Sequence, residues 1–206
     1  MNANQDDLAN PYGMDEDCEN CSLCETRERV VHGYGDVGAD FLFVGEAPSA
    51  GDEAAGVPLA TDETFRSILE RLMLCASDSP IDDPQLANVF CTTLTRCRHP
   101  ERGPTDEEIA TCEPYLNAEI RMINPEILVP VGERALAELG EEYTTKPAAE
   151  LDVHEHHGET IRGRGFELVP MIDPAEQTEE ETQTFVERFA RLMATDYRQT
   201  KGRRSR

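Results

Sequence analysis

Residues 40–47 read Asp-Phe-Leu-Phe-Val-Gly-Glu-Ala, in which four consecutive apolar residues are followed by a glycine and a carboxylate. An apolar run that ends in this way predicts a strand buried on both faces, as strands of parallel sheets are. Similar strands are predicted at residues 88–96 and 126–132, with helical patterns between them. Strands that alternate with helices predict an α/β fold of three layers, α/β/α, around a central, mainly parallel sheet.

Four stretches are predicted to be helical. In the first of these, apolar residues recur on one helical face: Phe65, Ile68, Leu69 and Leu72. Residues 105–108 and 178–181 are capping-box patterns, which predict that helices begin there. Pro114 is expected to break or restart the helix that follows residue 105. A short helix is also expected from residue 133 to about residue 139, because the strand before it ends at Gly132.

The remaining segments are predicted to be loops and short strands. Residues 48–62 and 141–158 are rich in small or polar residues and are expected to be loops. Two strands, at residues 159–162 and 166–172, are expected to flank a turn at 163–165.

Ligands in parallel sheets bind beyond the carboxyl ends of the strands. Three predicted loops leave such ends, at residues 45–62, 97–104 and 173–178. These loops are therefore where we expect the chemistry of the protein.

The chain is strongly acidic, with a formal net charge of -23 from 42 acidic and 19 basic residues, and only Lys146 and Lys201 are lysines. Dense surface carboxylates with few lysines favour a halophilic origin, since they keep a protein hydrated in a cytoplasm of high salt. If the whole proteome is acidic, the sign of the net charge does not exclude nucleic acid as a partner.

The ends of the chain differ from the middle in composition. Residues 1–15 are expected to be a disordered acidic N-terminus, residues 16–197 one domain, and residues 198–206 a basic tail. No apolar run approaches the length of about 18 residues that spans a bilayer, and no signal peptide is evident. We therefore expect a cytoplasmic protein without membrane association, and a monomer.

Four of the seven cysteines form a pattern that suggests a metal site. Cys18 and Cys21 have the C-x2-C spacing, and Cys97 and Cys112 are candidates to complete the set. Thiolates bind both zinc and iron–sulfur clusters, and the spacing alone leaves both open. Of the other three, Cys24 is a candidate substitute ligand, whereas Cys75 and Cys91 lie in apolar contexts and are predicted to be core residues.

Several stretches together resemble the family 4 uracil-DNA glycosylases, the cluster-containing kind of archaea and thermophilic bacteria. The matching stretches are Cys18-Glu-Asn-Cys21-Ser-Leu-Cys-Glu-Thr-Arg27, Val44-Gly-Glu-Ala-Pro48, Arg96-Cys-Arg98, Pro104-Thr-Asp-Glu-Glu-Ile-Ala-Thr-Cys112, Ile123-Asn-Pro-Glu-Ile-Leu-Val-Pro-Val-Gly132 and Val169-Pro-Met-Ile-Asp-Pro-Ala175. Their order is that of the family, so the chain is identified as a divergent, haloarchaeal-type member with a uracil-DNA glycosylase-like fold.

The resemblance implies a cofactor, a partner and a reaction. It implies a [4Fe-4S] cluster held by Cys18, Cys21, Cys97 and Cys112, with zinc as the alternative. It implies DNA as the partner, single-stranded or uracil-containing, and base excision repair by hydrolysis of the bond between uracil, or another deaminated base, and deoxyribose.

The resemblance also assigns roles at the pocket. Glu46, Asp52 and Asp173 fall at catalytic positions, and the substrate-binding positions are Ala47, Leu59 and Thr93. Three of these depart from the family, because Leu59 replaces a stacking aromatic residue, Thr93 an asparagine, and Asp173 a histidine.

These departures predict a pocket in which activity is lowered or redirected. An aspartate in place of the histidine would repel the charge that develops on uracil. The alternative is a non-catalytic [4Fe-4S] protein that binds nucleic acid or senses redox state.

Overall fold

The structure, a computed structural model, describes residues 16–197. The predicted N-terminal segment, residues 1–15, and the predicted basic tail, residues 198–206, lie outside the described residues. Within the described range, no helix is long and apolar enough to cross a membrane.

One sheet forms the centre of the described residues, with its strands in the order β1-β3-β2-β4-β6-β5. The strands are β1 (Tyr34–Gly35), β2 (Phe41–Gly45), β3 (Val89–Thr93), β4 (Ile127–Pro130), β5 (Ile161–Arg162) and β6 (Glu167–Leu168). β3, β2, β4 and β6 run parallel to one another, and β1 and β5 join the two edges antiparallel. The prediction of a mainly parallel sheet is therefore confirmed.

Helices cover both faces of this sheet. The described α-helices are α1 (Ala50–Ala55), α2 (Glu63–Arg71), α3 (Asp106–Ile123), α4 (Glu133–Tyr143) and α5 (Glu179–Met193). Side chains of β2 alternate between two cores, because successive residues of a strand point to opposite faces. Phe41 and Phe43 pack with α2 and α5, while Leu42 and Val44 pack with α3 and α4. The three-layer α/β/α architecture is confirmed.

The helix starts agree with the sequence, but one helix interior does not. Thr105 and Thr178 each accept a hydrogen bond from the third residue of the helix that follows, and both capping boxes are complete. The prediction that Pro114 breaks its helix is wrong, since α3 is continuous through it. Pro114 is exposed, and Cys112 and Leu116 on either side are buried. This packing holds the helix through the single hydrogen bond that proline removes.

Three predicted segments differ in detail from the structure. Residues 48–62 are not all loop, because they contain α1, which Ser49 caps. α4 continues to Tyr143, beyond the predicted end near residue 139. The strands predicted at residues 159–162 and 166–172 shorten to β5 and β6, of two residues each.

Candidate active site and cysteine cluster

The three predicted strand-end loops meet around one open cleft of about 640 Å³. Its lining comes from positions between 45 and 65, from residues 98–104 and from residues 173–175, with Val131 at the end of β4. This volume lies within the range of roughly 300–1,000 Å³ that small-molecule sites occupy. The cleft is therefore the candidate active site.

Glu46 follows β2 directly and is half-buried at the cleft. Among the described residues, its carboxylate has no hydrogen-bond partner. Burial raises the pKa of Glu46; Arg134 opposes this rise, and Asp173 adds to it. A carboxylate that has no competing partner and a raised pKa is suited to accept a proton from water.

Asp52 also lines the cleft, but its oxygens are engaged within the protein. One oxygen accepts the Ser49 N–H at 3.0 Å, which completes the capping box of α1. The other accepts the Thr61 hydroxyl at 2.7 Å. The side chain is buried, so its observed contacts hold the loop between β2 and α2 together.

Asp173 is exposed at the opposite wall of the same site. It accepts the backbone N–H of Ala175 at 3.0 Å, which forms a tight turn after Ile172. Its charge contributes to the raised pKa of Glu46, so the two carboxylates interact across the cleft. The structure thus brings together Glu46, Asp52 and Asp173.

Of the three predicted substrate-binding residues, two line the cleft and one does not. Ala47 and Leu59 line the cleft, and Leu59 has a left-handed backbone with φ 63°. Thr93 is completely buried, does not line the cleft, and donates its hydroxyl to the carbonyl of Thr95 at 2.7 Å. The structure therefore does not place Thr93 where it reads a base edge, because this local hydrogen bond occupies its hydroxyl.

His157 supports the loop that carries Asp173. It belongs to residues 141–158, which were predicted to be a polar loop with no buried side chain of this kind. It is buried; Nδ1 accepts the Ile172 N–H at 3.0 Å, and Nε2 lies 2.9 Å from the Glu181 carbonyl. Because Nδ1 accepts, the neutral ring carries its proton on Nε2. Burial lowers the pKa of His157.

Protonation of His157 should destabilise the fold on acidification. Since its pKa is lower in the folded chain than the ordinary value of 6.5, stability is complete above pH 6.5 and falls as the pH decreases below it. His157→Leu should lower the free energy of unfolding at pH 7.5 by about 1–3 kcal/mol, because the Ile172 N–H loses its acceptor. It should also flatten the dependence of thermal stability on pH between 7 and 5. The exposed His154→Leu is the matched control, and an equally steep dependence in His157→Leu would contradict this assignment.

The four predicted ligand cysteines pack into one small apolar cluster. They lie with Leu23, Val30 and Tyr115 beside the N-terminus of the described chain. Burial raises the pKa of Cys97 to about 12 and also raises the pKa of Cys21 and Cys112. The Leu23 backbone N–H bonds to the Cys21 sulfur, and the Arg96 backbone N–H bonds to the Cys112 sulfur. N–H donors of this kind stabilise the thiolate, which is the form that binds metal.

Among residues 16–197, no group of three or more His, Cys, Asp or Glu side chains is arranged to hold a metal ion. Cys18, Cys21, Cys97 and Cys112 share one cluster, and thiolates bind both zinc and iron–sulfur clusters. Cys75 and Cys91 are core residues, as predicted.

A buried ion pair lies between the cysteine cluster and the sheet. Arg96 and Glu119 are each 1% exposed and contact each other directly. Glu119 also accepts the Thr92 hydroxyl at 2.7 Å and the Gly33 N–H. Arg96 has no access to solvent, so a phosphate group of DNA does not reach it. The pattern Arg96-Cys97-Arg98 does not distinguish a buried arginine from an exposed one.

Comparison with known proteins identifies the family. The family model of the uracil DNA glycosylase superfamily matches residues 32–194. The chain belongs to this superfamily. The match covers the sheet and the cleft, and it begins after Cys18 and Cys21, so it does not extend to the whole cysteine cluster.

Individual members of the uracil DNA glycosylase superfamily show how far the likeness extends. A type-4 uracil-DNA glycosylase of Saccharolobus solfataricus is 34% identical over 126 residues, which are 59% of this chain and 54% of the relative. A type-4 enzyme of Pyrobaculum aerophilum is 32% identical over 65% of this chain and 66% of its own length. A type-5 uracil-DNA glycosylase of that organism is 27% identical over 71% of this chain and 66% of the relative. The chain thus spans only about half to two thirds of the length of these relatives.

Proposed function

We propose that this chain is a DNA glycosylase that hydrolyses the N-glycosidic bond of uracil or another deaminated base in base excision repair. The observation that carries the proposal is Glu46, a half-buried carboxylate in a cleft at the strand ends that has no hydrogen-bond partner among residues 16–197. Superfamily membership and the names of the relatives support it.

The chemistry follows from the positions of the carboxylates. A target base leaves the stack and enters the cleft, which costs a few kcal/mol and less in a single strand. Glu46 accepts a proton from the water that attacks the sugar, and its negative charge stabilises the positive charge that develops there. Asp52 holds the loop that carries this water site, through its bonds to Ser49 and Thr61. Leu59 gives an apolar wall in place of an aromatic one.

Asp173 is the residue that limits uracil release. As uracil departs it becomes an anion, and a carboxylate facing it raises the energy of that state. Asp173→His should raise the rate of uracil excision by about a hundredfold, which is the effect of one well-placed donor. The rate is measured on a uracil-containing oligonucleotide, with the exposed Glu176→His as the control. An unchanged rate would show that Asp173 does not face the leaving base.

The direct test of the proposal uses purified protein in high potassium chloride, because the acidic surface predicts a salt-adapted protein. Single-stranded and duplex oligonucleotides with one uracil or one hypoxanthine are incubated with it, and abasic sites are cleaved with alkali. We expect slow cleavage at the modified position, faster in the single strand. No product above the no-enzyme control would refute the proposal.

We further propose that Cys18, Cys21, Cys97 and Cys112 hold a [4Fe-4S] cluster. Such a cluster, when bound, would join residues 18–21 to Cys97 and to α3 and would stabilise the fold. Cys97→Ser should abolish the visible absorption and most of the iron and sulfide of anaerobically purified protein, while Cys24→Ser should keep them. Zinc in place of iron in the wild-type protein would contradict this assignment.

The partner is proposed to be DNA, with a preference for single strands, and the protein a cytoplasmic monomer. Arg98 and Arg102 line the cleft, and each is paired with a buried glutamate. These ion pairs hold both arginines in position. A DNA phosphate that approaches the cleft would meet them there.

A second candidate function is a non-catalytic protein that binds nucleic acid. The burial of Thr93 favours it, because the cleft then lacks one base-reading side chain. Binding of uracil-containing DNA without any base release would support this alternative over the glycosylase.

A further inference from the structure

The cleft carries several carboxylates, and Arg134, which attracts Glu46, lies outside the lining. Glu46 and Asp173 interact across it, and Glu101 is exposed on its rim. The two arginines of the lining are engaged elsewhere. Arg102 bonds to both oxygens of Glu108 at 2.8 Å, and Arg98 lies 3.4 Å from the buried Glu53. A group that enters the cleft therefore meets net negative charge.

The hydroxyl groups of the cleft are also committed. The Thr61 hydroxyl donates to Asp52 at 2.7 Å, so the Ser49 hydroxyl, 3.2 Å away, is left to donate to Thr61. Thr93 is outside the lining and donates to a backbone carbonyl. Among the described side chains of the cleft, no hydroxyl remains to bond to an oxygen that becomes negative on a departing base.

The charge of the base decides how such a cleft affects bond cleavage. When the glycosidic bond breaks, its electron pair goes to the base. A neutral base such as uracil becomes an anion, which nearby carboxylates destabilise. A base that already carries a positive charge becomes neutral, and carboxylates attract it before the reaction without opposing its departure.

We propose that the preferred substrate class of this cleft is a cationic N-alkylated purine, with Asp173 and Glu46 facing the charged ring. This inference rests on the proposed glycosylase function and extends its substrates from deaminated bases to a base with a charged ring. In the reaction, the bond between the sugar carbon and the ring nitrogen breaks, and its electron pair neutralises the purine cation. Water forms the new bond to the sugar and gives its proton to Glu46. The products are a neutral alkylpurine, an abasic site and one proton, so atoms and charge balance. The leaving purine needs no donor, which agrees with the committed hydroxyl groups.

The test compares two oligonucleotides of the same sequence, with 7-methylguanine or uracil at one position. Single-turnover rates in high potassium chloride are divided by the no-enzyme rate for each base. We expect a rate enhancement at least tenfold larger for 7-methylguanine. Asp173→Asn should lower the enhancement for 7-methylguanine by about tenfold and raise that for uracil, because it removes one charge. The exposed Glu176→Gln serves as the control and should leave the ratio unchanged.

The outcomes separate this inference from the proposed function. Release of uracil without release of 7-methylguanine would overturn the inference and leave the glycosylase function intact. A ratio unchanged in Asp173→Asn would likewise overturn it. Release of neither of these bases, together with no release of hypoxanthine, would refute the glycosylase function itself.

Discussion

Replacement of Glu119 by Gln is expected to lower the free energy of unfolding by about 3–5 kcal/mol, because it leaves the guanidinium of Arg96 buried without a countercharge. Both residues are 1% exposed, so water does not screen or solvate the orphaned charge. In a domain of this size the change corresponds to a fall in melting temperature of roughly 6–20 °C.

The loss should extend to the cysteine cluster. The backbone N–H of Arg96 bonds to the Cys112 sulfur, and its carbonyl accepts the Val31 N–H at 2.8 Å. Cys97 is the next residue along the chain. If the guanidinium of Arg96 moves towards solvent, the backbone that adjoins Cys97 and contacts Cys112 moves with it. We therefore expect Glu119→Gln to retain less iron than the wild type.

The control for this variant is Glu113→Gln, an exposed position on the same helix α3. Thermal unfolding measured for both should show little change in the control. The double variant Arg96→Met/Glu119→Leu should be more stable than Glu119→Gln, since it removes both charges together. If Glu119→Gln is no less stable than the control, the pair does not support the fold as described.

Replacement of Glu46 by Gln is expected to lower the rate of base excision by about 10²–10⁴-fold, the usual contribution of a general base. The substitution keeps the shape of the side chain and removes its charge and proton-accepting ability. Because the carboxylate is half-buried and has no partner among the described residues, stability should change little. The effect should fall on the single-turnover rate more than on DNA binding.

Glu176→Gln is the matched control, since Glu176 is an exposed carboxylate outside the lining of the cleft. Its rate should stay close to that of the wild type. Equal rates for Glu46→Gln and the wild type would assign the proton-accepting role to another group, with Asp52 the next to examine.

The layers of the fold and the place of the cleft follow from sequence patterns, because apolar runs and capping boxes are local signals. The run from Phe41 to Gly45 predicts a doubly buried strand, and Thr105 and Thr178 predict helix starts. The cleft lies beyond the carboxyl ends of the parallel strands, which is where such sheets bind their ligands.

Features that depend on contacts between distant residues could not be predicted in this way. The burial of Arg96 depends on Glu119, which lies 23 positions away along the chain. Thr93 is held outside the cleft lining with its hydroxyl bonded to the Thr95 carbonyl, and His157 is buried because α5 packs over it. A pattern of residue types does not specify such partners. Asp52 is an exception, since Ser49 and Asp52 have the spacing of a capping box, and this signal could have identified α1.

We propose that the cleft around Glu46 excises a base from DNA. The most direct test is the single-turnover formation of abasic sites, measured with wild-type protein and Glu46→Gln of equal iron content on the same base-modified single strand. We expect cleavage by the wild type and a loss of about a hundredfold or more in the variant. Equal product from both proteins, or none from the wild type, would contradict it.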